Sequence, residues 1–111
     1  MIVDLLKRAY KIGSPLAFGT DIVIYLPGLN RVQSSFKVLE TWKAAEILAS
    51  YISQTMTLYA AELLGIEKER GLLIPSYYAN IVAFKNNPLV EIENIKSVHF
   101  VMKEGEIIKN D

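Results

Sequence analysis

Cysteine is missing from all 111 residues. That excludes a disulfide framework and a thiolate metal site, and it fits an intracellular, cytoplasmic setting. Histidine is almost missing as well, with His99 the only one. Charge of either sign is not in excess: 12 basic residues face 12 acidic ones, and no like-charged run is long enough to neutralise a phosphate backbone. Nucleic acid is therefore not an expected partner. No apolar run approaches the about 20 residues of a bilayer span, and the N-terminus lacks the apolar core of a signal peptide, so no membrane association is expected. Internal repeats and low-complexity tracts are absent too.

What is present is the composition of a packed protein. Hydrophobic residues make up 51% and charged residues 22%, far from the profile of disorder. The length is one domain's worth and buries a modest core.

The first half of the chain has helical periodicity. In residues 2–11, Ile2, Leu5, Leu6 and Ala9 share one helix face, and Gly13 stands where a C-cap belongs. Ser14-Pro15 breaks that helix. Leu16-Ala17-Phe18 then reads as a short strand with no water-facing side, as in a central parallel strand, and it stops at Gly19. Ile22–Leu26 is a second apolar piece, extended or loop, closed by Pro27-Gly28. From about Leu29 to Ile52 the apolar positions Val32, Phe36, Leu39, Ala45, Leu48 and Ile52 predict one long helix, or two with a break. Another helix follows from Ser53 to Leu64, with Met56, Tyr59, Ala60 and Leu63 on one face and Gly65 as its stop.

The second half changes period. LLIP (72–75), ANIVAFK (79–85) and SVHFVMK (97–103) are short β-prone runs separated by polar segments such as KNNP (85–88). The last run meets EIIK (106–109) across Glu104-Gly105, which predicts a hairpin with a two-residue turn.

Several residues invite a chemical reading. Asp21 is a lone carboxylate after an apolar run and Gly19-Thr20; such an acid either caps a turn or serves a site. His99 alternates with Val98 and Phe100 in a terminal strand and is read as structural. Trp42 and the pair Tyr77-Tyr78 are read as packing rather than as a stacking platform. Glu62, Glu67, Lys68, Glu69 and Arg70 are read as a solvated helix end and loop.

Taken in order, AFGTD, AAELLGIE, ANIVAF, NPL and VHFVMKEGEII resemble the C-terminal part of the metal-dependent amidohydrolase superfamily. The likeness is to its imidazolonepropionase-like, prolidase-like and chlorohydrolase-like branches, and it covers nearly the whole chain. In that family a TIM-type barrel carries the metal centre and the chain ends fold into a small β-sandwich beside it. The resemblance implies an α/β chain, incomplete by itself. Residues 1–70 would be the last strand–helix units of the barrel, and residues 71–111 antiparallel strands of the sandwich. Leu16–Gly19 would be the eighth barrel strand, with residues 2–11 the helix before it. Asp21 would sit at the strand's C-terminal end, where barrel enzymes place catalytic groups. There the family's aspartate binds the more buried metal, or orients the attacking water and takes its proton.

The resemblance also shows what this chain does not supply. The family's paired histidines, its bridging carboxylate or modified lysine and its further histidines have no counterpart here. Asp21 would bind zinc or another divalent ion only with ligands from a missing segment or partner, since a catalytic site wants three protein ligands. The chain alone is thus expected to hold no cofactor and to be inactive. Its expected partners are copies of itself or a complementary N-terminal barrel chain, and the competing reading is a non-catalytic, self-associating α+β module. Where the family commonly reads EPGK-ADLV this chain reads IPSYYANIV, which puts Ser76 in place of the usual glycine and Asn80 in place of the usual acid.

Overall fold

The computed structural model describes residues 1–21 and 26–111. In these the chain is mixed α/β: four helices, α1 (Ile2–Lys11), α2 (Arg31–Ala44), α3 (Ala49–Thr55) and α4 (Leu58–Leu64), precede a three-stranded antiparallel sheet. Its strands β1 (Ile81–Phe84), β2 (Val98–Lys103) and β3 (Glu106–Asn110) lie in the order 1-2-3, and a 3-10 helix, Ile92–Ser97, joins β1 to β2. The piece predicted at Ile22–Leu26 falls, over 22–25, outside the described residues. No described helix is long and apolar enough to cross a membrane.

Helix α1 ends as its sequence dictates. Gly13 takes φ +75°, its N–H donates to Tyr10 O (3.1 Å), and Ser14 N–H reaches back to Ala9 O (3.0 Å). These two bonds satisfy carbonyls that the helix leaves unpaired. Gly65 closes α4 in the same way: at φ +71° its N–H donates to Glu62 O, and Ile66 N–H to Ala61 O. The inward face of α1 differs from expectation. Val3, Leu6 and Tyr10 pack on the core, while Ile2 and Leu5 are exposed, because the helix is rotated to bring Tyr10 against Tyr51.

Helix α2 begins in a capping box that the periodicity does not reveal. Asn30 Oδ1 accepts from Gln33 N–H and Gln33 Oε1 accepts from Asn30 N–H, both at 2.9 Å. The predicted long helix is two with a break. After Ala44 the chain turns through Glu46, a non-glycine residue at φ +59°, and the turn buries Ala45 and Ile47 on either side of it. Lys7 pairs with Glu46 across this turn and holds its carboxyl below the usual carboxylate range, chiefly through that hydrogen bond.

The segment predicted as one helix over 53–64 is also divided. Thr55 and Thr57 turn their hydroxyls onto the carbonyls of Ile52 (2.6 Å) and Ser53 (2.9 Å), competing with the backbone's own ladder. Thr57 leaves helical geometry at φ −125°, ψ −92°. This interruption has a use. The Thr55 carbonyl, at the end of α3, accepts Phe18 N–H at 3.0 Å, so a group with no intrahelical partner anchors the segment leading to Asp21.

The core is formed by Leu39, Trp42, Ala45, Ile47, Ile52 and Ile92. Leu16 and Phe18 pack against it, with the Phe18 ring 5.4 Å from that of Trp42. The predicted strand at Leu16–Gly19 has no ladder partner among the described residues, whose one sheet is antiparallel. Ile92 and Ile95 carry the 3-10 helix onto the core. Lys43 of α2 donates to Glu91 (2.8 Å) and Glu93 (2.9 Å) at the rim. The two hydrogen bonds raise the lysine well above its ordinary value, and Lys43 holds Glu93 low.

The hairpin is as expected and more firmly held. Lys103 pairs with Glu106, leaving Glu104 and Gly105 as a turn in which both residues have positive φ (+50° and +84°), the geometry that matches strand twist. Asn80 Oδ1 accepts Glu104 N–H (2.8 Å), Ala79 O accepts Gly105 N–H (3.0 Å), and Arg70 donates to the Glu104 carboxylate (2.9 Å). Residues 72–75 do not form the predicted strand. Pro75 lacks a ladder donor, and the chain instead folds back on α4, where Gly71 at φ +101° lies so close that a Cβ would meet Ala61 Cβ at 3.0 Å.

Ser76 adopts φ +74°, a left-handed conformation that costs an L-residue about 1–2 kcal/mol. Glycine relieves this at a cost of about 0.5–1 kcal/mol in chain entropy. Ser76→Gly is therefore expected to stabilise the chain by about 0.5–1 kcal/mol, read as a higher urea midpoint at unchanged slope.

Candidate functional site

Asp21 ends the segment that the Phe18–Thr55 bond ties to α3. It is exposed and holds φ +46°, a conformation that aspartate tolerates better than most residues because its short side chain bonds locally. The Asp21 residue is thus open to solvent.

The other acids near basic groups are committed elsewhere. Glu46 pairs with Lys7, Glu91 and Glu93 with Lys43, Glu104 with Arg70, and Asp111 with Lys109. Among the described residues no three histidine, cysteine, aspartate or glutamate side chains gather closely enough to hold a metal ion. His99 is carried in β2 between its two neighbour strands, and its carbonyl accepts Asp111 N–H at 2.8 Å. Asp21 by itself therefore does not fit a catalytic metal, for which it offers one carboxylate where about three protein ligands are needed.

Of the aromatic residues read as packing, Trp42 is buried in the core, Tyr77 is half-buried and Tyr78 is exposed. Tyr77 donates its hydroxyl to Glu67 O (2.7 Å), and the Tyr78 ring lies under the Arg70 guanidinium at 4.2 Å. The stretch read as a solvated loop is more ordered than that. Arg70 links Tyr78 to the hairpin turn, and Glu67 has one carboxylate oxygen buried with no hydrogen-bond partner among the described residues.

Two concavities escaped sequence reasoning. One, of about 550 Å³, runs between α4 and β1 and is lined by apolar groups including Met56, Ala60, Leu64, Ile81 and Ile95. The other, of about 660 Å³, opens where α1 ends and is bordered by Tyr10, Tyr51 and Tyr59. Its tyrosines come from three helices, and no local spacing marks them as a set.

The amidohydrolase family model matches residues 3–108. The chain belongs to that family. Amidohydrolases generally depend on a metal. No curated protein sequence matches the chain. Among solved structures it resembles a Xaa-Pro dipeptidase with methionine bound in its active site, at 28% identity and a TM-score of 0.83, over 97% of this chain and 25% of that one. It shares its fold with an amidohydrolase from Thermotoga maritima (19% identity, TM-score 0.73, 98% of this chain and 26% of that one). The same holds for a prolidase complexed with N-methylphosphonate-L-proline (21% identity, TM-score 0.68, 98% and 26%). The chain thus spans about a quarter of the length of these relatives.

A single carboxylate binds zinc weakly, because affinity grows with the number of ligands that close on the ion. Isothermal titration of the chelator-treated chain with zinc is expected to show no tight one-to-one site. A tight site would mean that further ligands reach Asp21 from within this chain.

Proposed function

We propose that this chain is the C-terminal quarter of a metal-dependent amidohydrolase of prolidase-like type, which hydrolyses the amide C–N bond of a dipeptide ending in proline. The observation that carries this reading is the family match over residues 3–108, together with likeness to a quarter of a Xaa-Pro dipeptidase. In this reading residues 1–70 complete a TIM-type barrel and residues 71–111 a β-sandwich. Leu16–Gly19 is the last barrel strand, and Asp21 is the carboxylate at its C-terminal end. The histidine ligands come from a preceding segment or a complementary chain, and without them this chain has no activity of its own. A cytoplasmic setting belongs to the same reading, in keeping with a chain free of cysteine.

Within the completed enzyme Asp21 supplies negative charge and basicity beside the nucleophilic water. Its exposure supports that task, since it leaves the carboxylate open to solvent. Asp21→Asn keeps the shape and loses the base. Combined with a segment carrying the other ligands, the Asp21→Asn variant is expected to assemble normally and to hydrolyse substrate about 10²–10⁴-fold more slowly. Equal rates would make Asp21 a turn residue; failure to assemble would make it a structural cap.

The second reading is a non-catalytic, self-associating module. It is favoured by the exposed apolar side chains Ile2, Leu5 and Ile12 around α1 and Ile107 and Ile108 on β3, and by the edges of β1 and β3, which pair with no further strand among the described residues. Such surface tends to be covered by another chain. Both readings give a homo-oligomer when the chain is alone, and sedimentation velocity at micromolar concentration is expected to show one. A compact soluble monomer counts against both the missing-partner and the self-associating readings.

A further inference from the structure

We propose that the cavity bordered by Tyr10, Tyr51 and Tyr59 is a binding site for a small organic cation of the alkylated ammonium class. The site does not use Asp21, although its lining includes Leu16 and Ala17 of the stretch read above as the last barrel strand. Three features of the cavity converge on this ligand chemistry.

The first is the aromatic wall. Tyr10 and Tyr51 have ring centroids 4.8 Å apart with planes at 60°, and Tyr51 and Tyr59 are 5.5 Å apart at 51°. Rings tilted this far meet edge toward face, so a ring gives up at most one face to each neighbour, and surface turned to the cavity can meet a third body. A cation within about 6 Å of such a face is attracted by the ring quadrupole, and alkylated ammonium groups are the usual guests of aromatic walls of this kind. Tyr51 remains a neutral phenol to higher pH than usual, because burial, and then the neighbouring Tyr59 and Tyr10, disfavour its anion.

The second is charge. Among the described residues Glu62 is the one formally charged group in the lining, and it is negative. The cavity also borders Gly13 and Ser14, whose N–H groups are spent on carbonyls of α1 and so offer no donors to an anion. Arg8 and Lys11 of the last turn of that helix do not line the cavity, so neither takes the place of a cation. The lining therefore favours a positive guest over an anionic one.

The third is size and the remaining wall. About 660 Å³ lies in the range of small-molecule sites. Leu16 and Leu63 complete the lining with apolar surface, which suits alkyl substituents on nitrogen better than a fully hydrated inorganic cation.

The test titrates the 111-residue chain with tetramethylammonium chloride and, separately, with tert-butanol as a neutral group of similar shape, following backbone amide chemical shifts. Saturable shifts centred on Gly13, Ser14 and Leu63 are expected with tetramethylammonium, at an affinity about tenfold above that for tert-butanol. Glu62→Gln is expected to weaken binding about threefold, and Tyr59→Leu about fivefold, while Tyr59→Phe keeps the ring and stays within about twofold. The amide spectrum of each variant reports whether it is folded; if Tyr59→Leu is not, the Glu62→Gln and Tyr59→Phe comparison still decides. Equal affinity for the neutral alcohol would make the cavity merely apolar, and absence of saturable shifts with tetramethylammonium would overturn the site.

Discussion

Ile92 is the point at which the sheet is fastened to the helices. It is fully enclosed with Leu39, Trp42, Ala45, Ile47 and Ile52, whereas β1, β2 and β3 contribute no residue that is fully buried. Burial of one isoleucine side chain is worth about 1.5–3 kcal/mol, and here it also fixes the 3-10 helix that leads into β2. The Lys43 pairs with Glu91 and Glu93 lie at the exposed rim of this contact. They orient the junction more than they stabilise it, since solvent-facing ion pairs contribute little. The same core receives Phe18 against Trp42, three residues before Asp21.

Local chemistry was legible in the sequence wherever a single residue forces a backbone conformation. Gly13 and Gly65 end their helices, and Glu104-Gly105 turns the hairpin, because few other conformations suit those positions. The β-prone run at 97–103 contains a strand for a related reason, since the two-residue turn sets its pairing with 106–110; the run at 79–85 joins it only through the longer connection between Phe84 and Val98. Less legible were features set by partners distant in sequence. The inward face of α1 depends on Tyr51, far along the chain, and the breaks at Glu46 and Thr57 are fixed by core burial and hydroxyl-to-carbonyl bonds that apolar spacing does not register. Residues 72–75 had the composition of a strand, but close packing of Gly71 on Ala61 leaves that stretch no ladder to join.

The candidate site divides along the same line. Asp21 stood out because a carboxylate follows an apolar run and a glycine, and its family assignment rested on words spread along the whole chain. In the proposed reading that chemistry is collective, with ligands from several segments, so a chain spanning a quarter of the relatives' length contributes Asp21 alone and leaves its role to be read from likeness. The tyrosine-lined cavity is the reverse case. It lies within the chain but is assembled from α1, α3 and α4, and only the tertiary structure brings those rings within 4.8 and 5.5 Å of one another.

The two ladders of the sheet differ in how far the chain must travel to make them. β2 and β3 meet across a two-residue turn and can zip within about 1–10 μs, the timescale of an isolated hairpin. β1 must wait for the chain between Phe84 and Val98 to close on itself, and that closure is rewarded only once Ile92 has found its place among the helices. The hairpin, whose Ile107 and Ile108 stay exposed even in the folded chain, can therefore close before β1 joins it. During that interval its unpaired β2 edge is the part of the molecule most open to a wrong strand, so the speed of helix docking sets how much of the chain is lost to aggregation at high concentration.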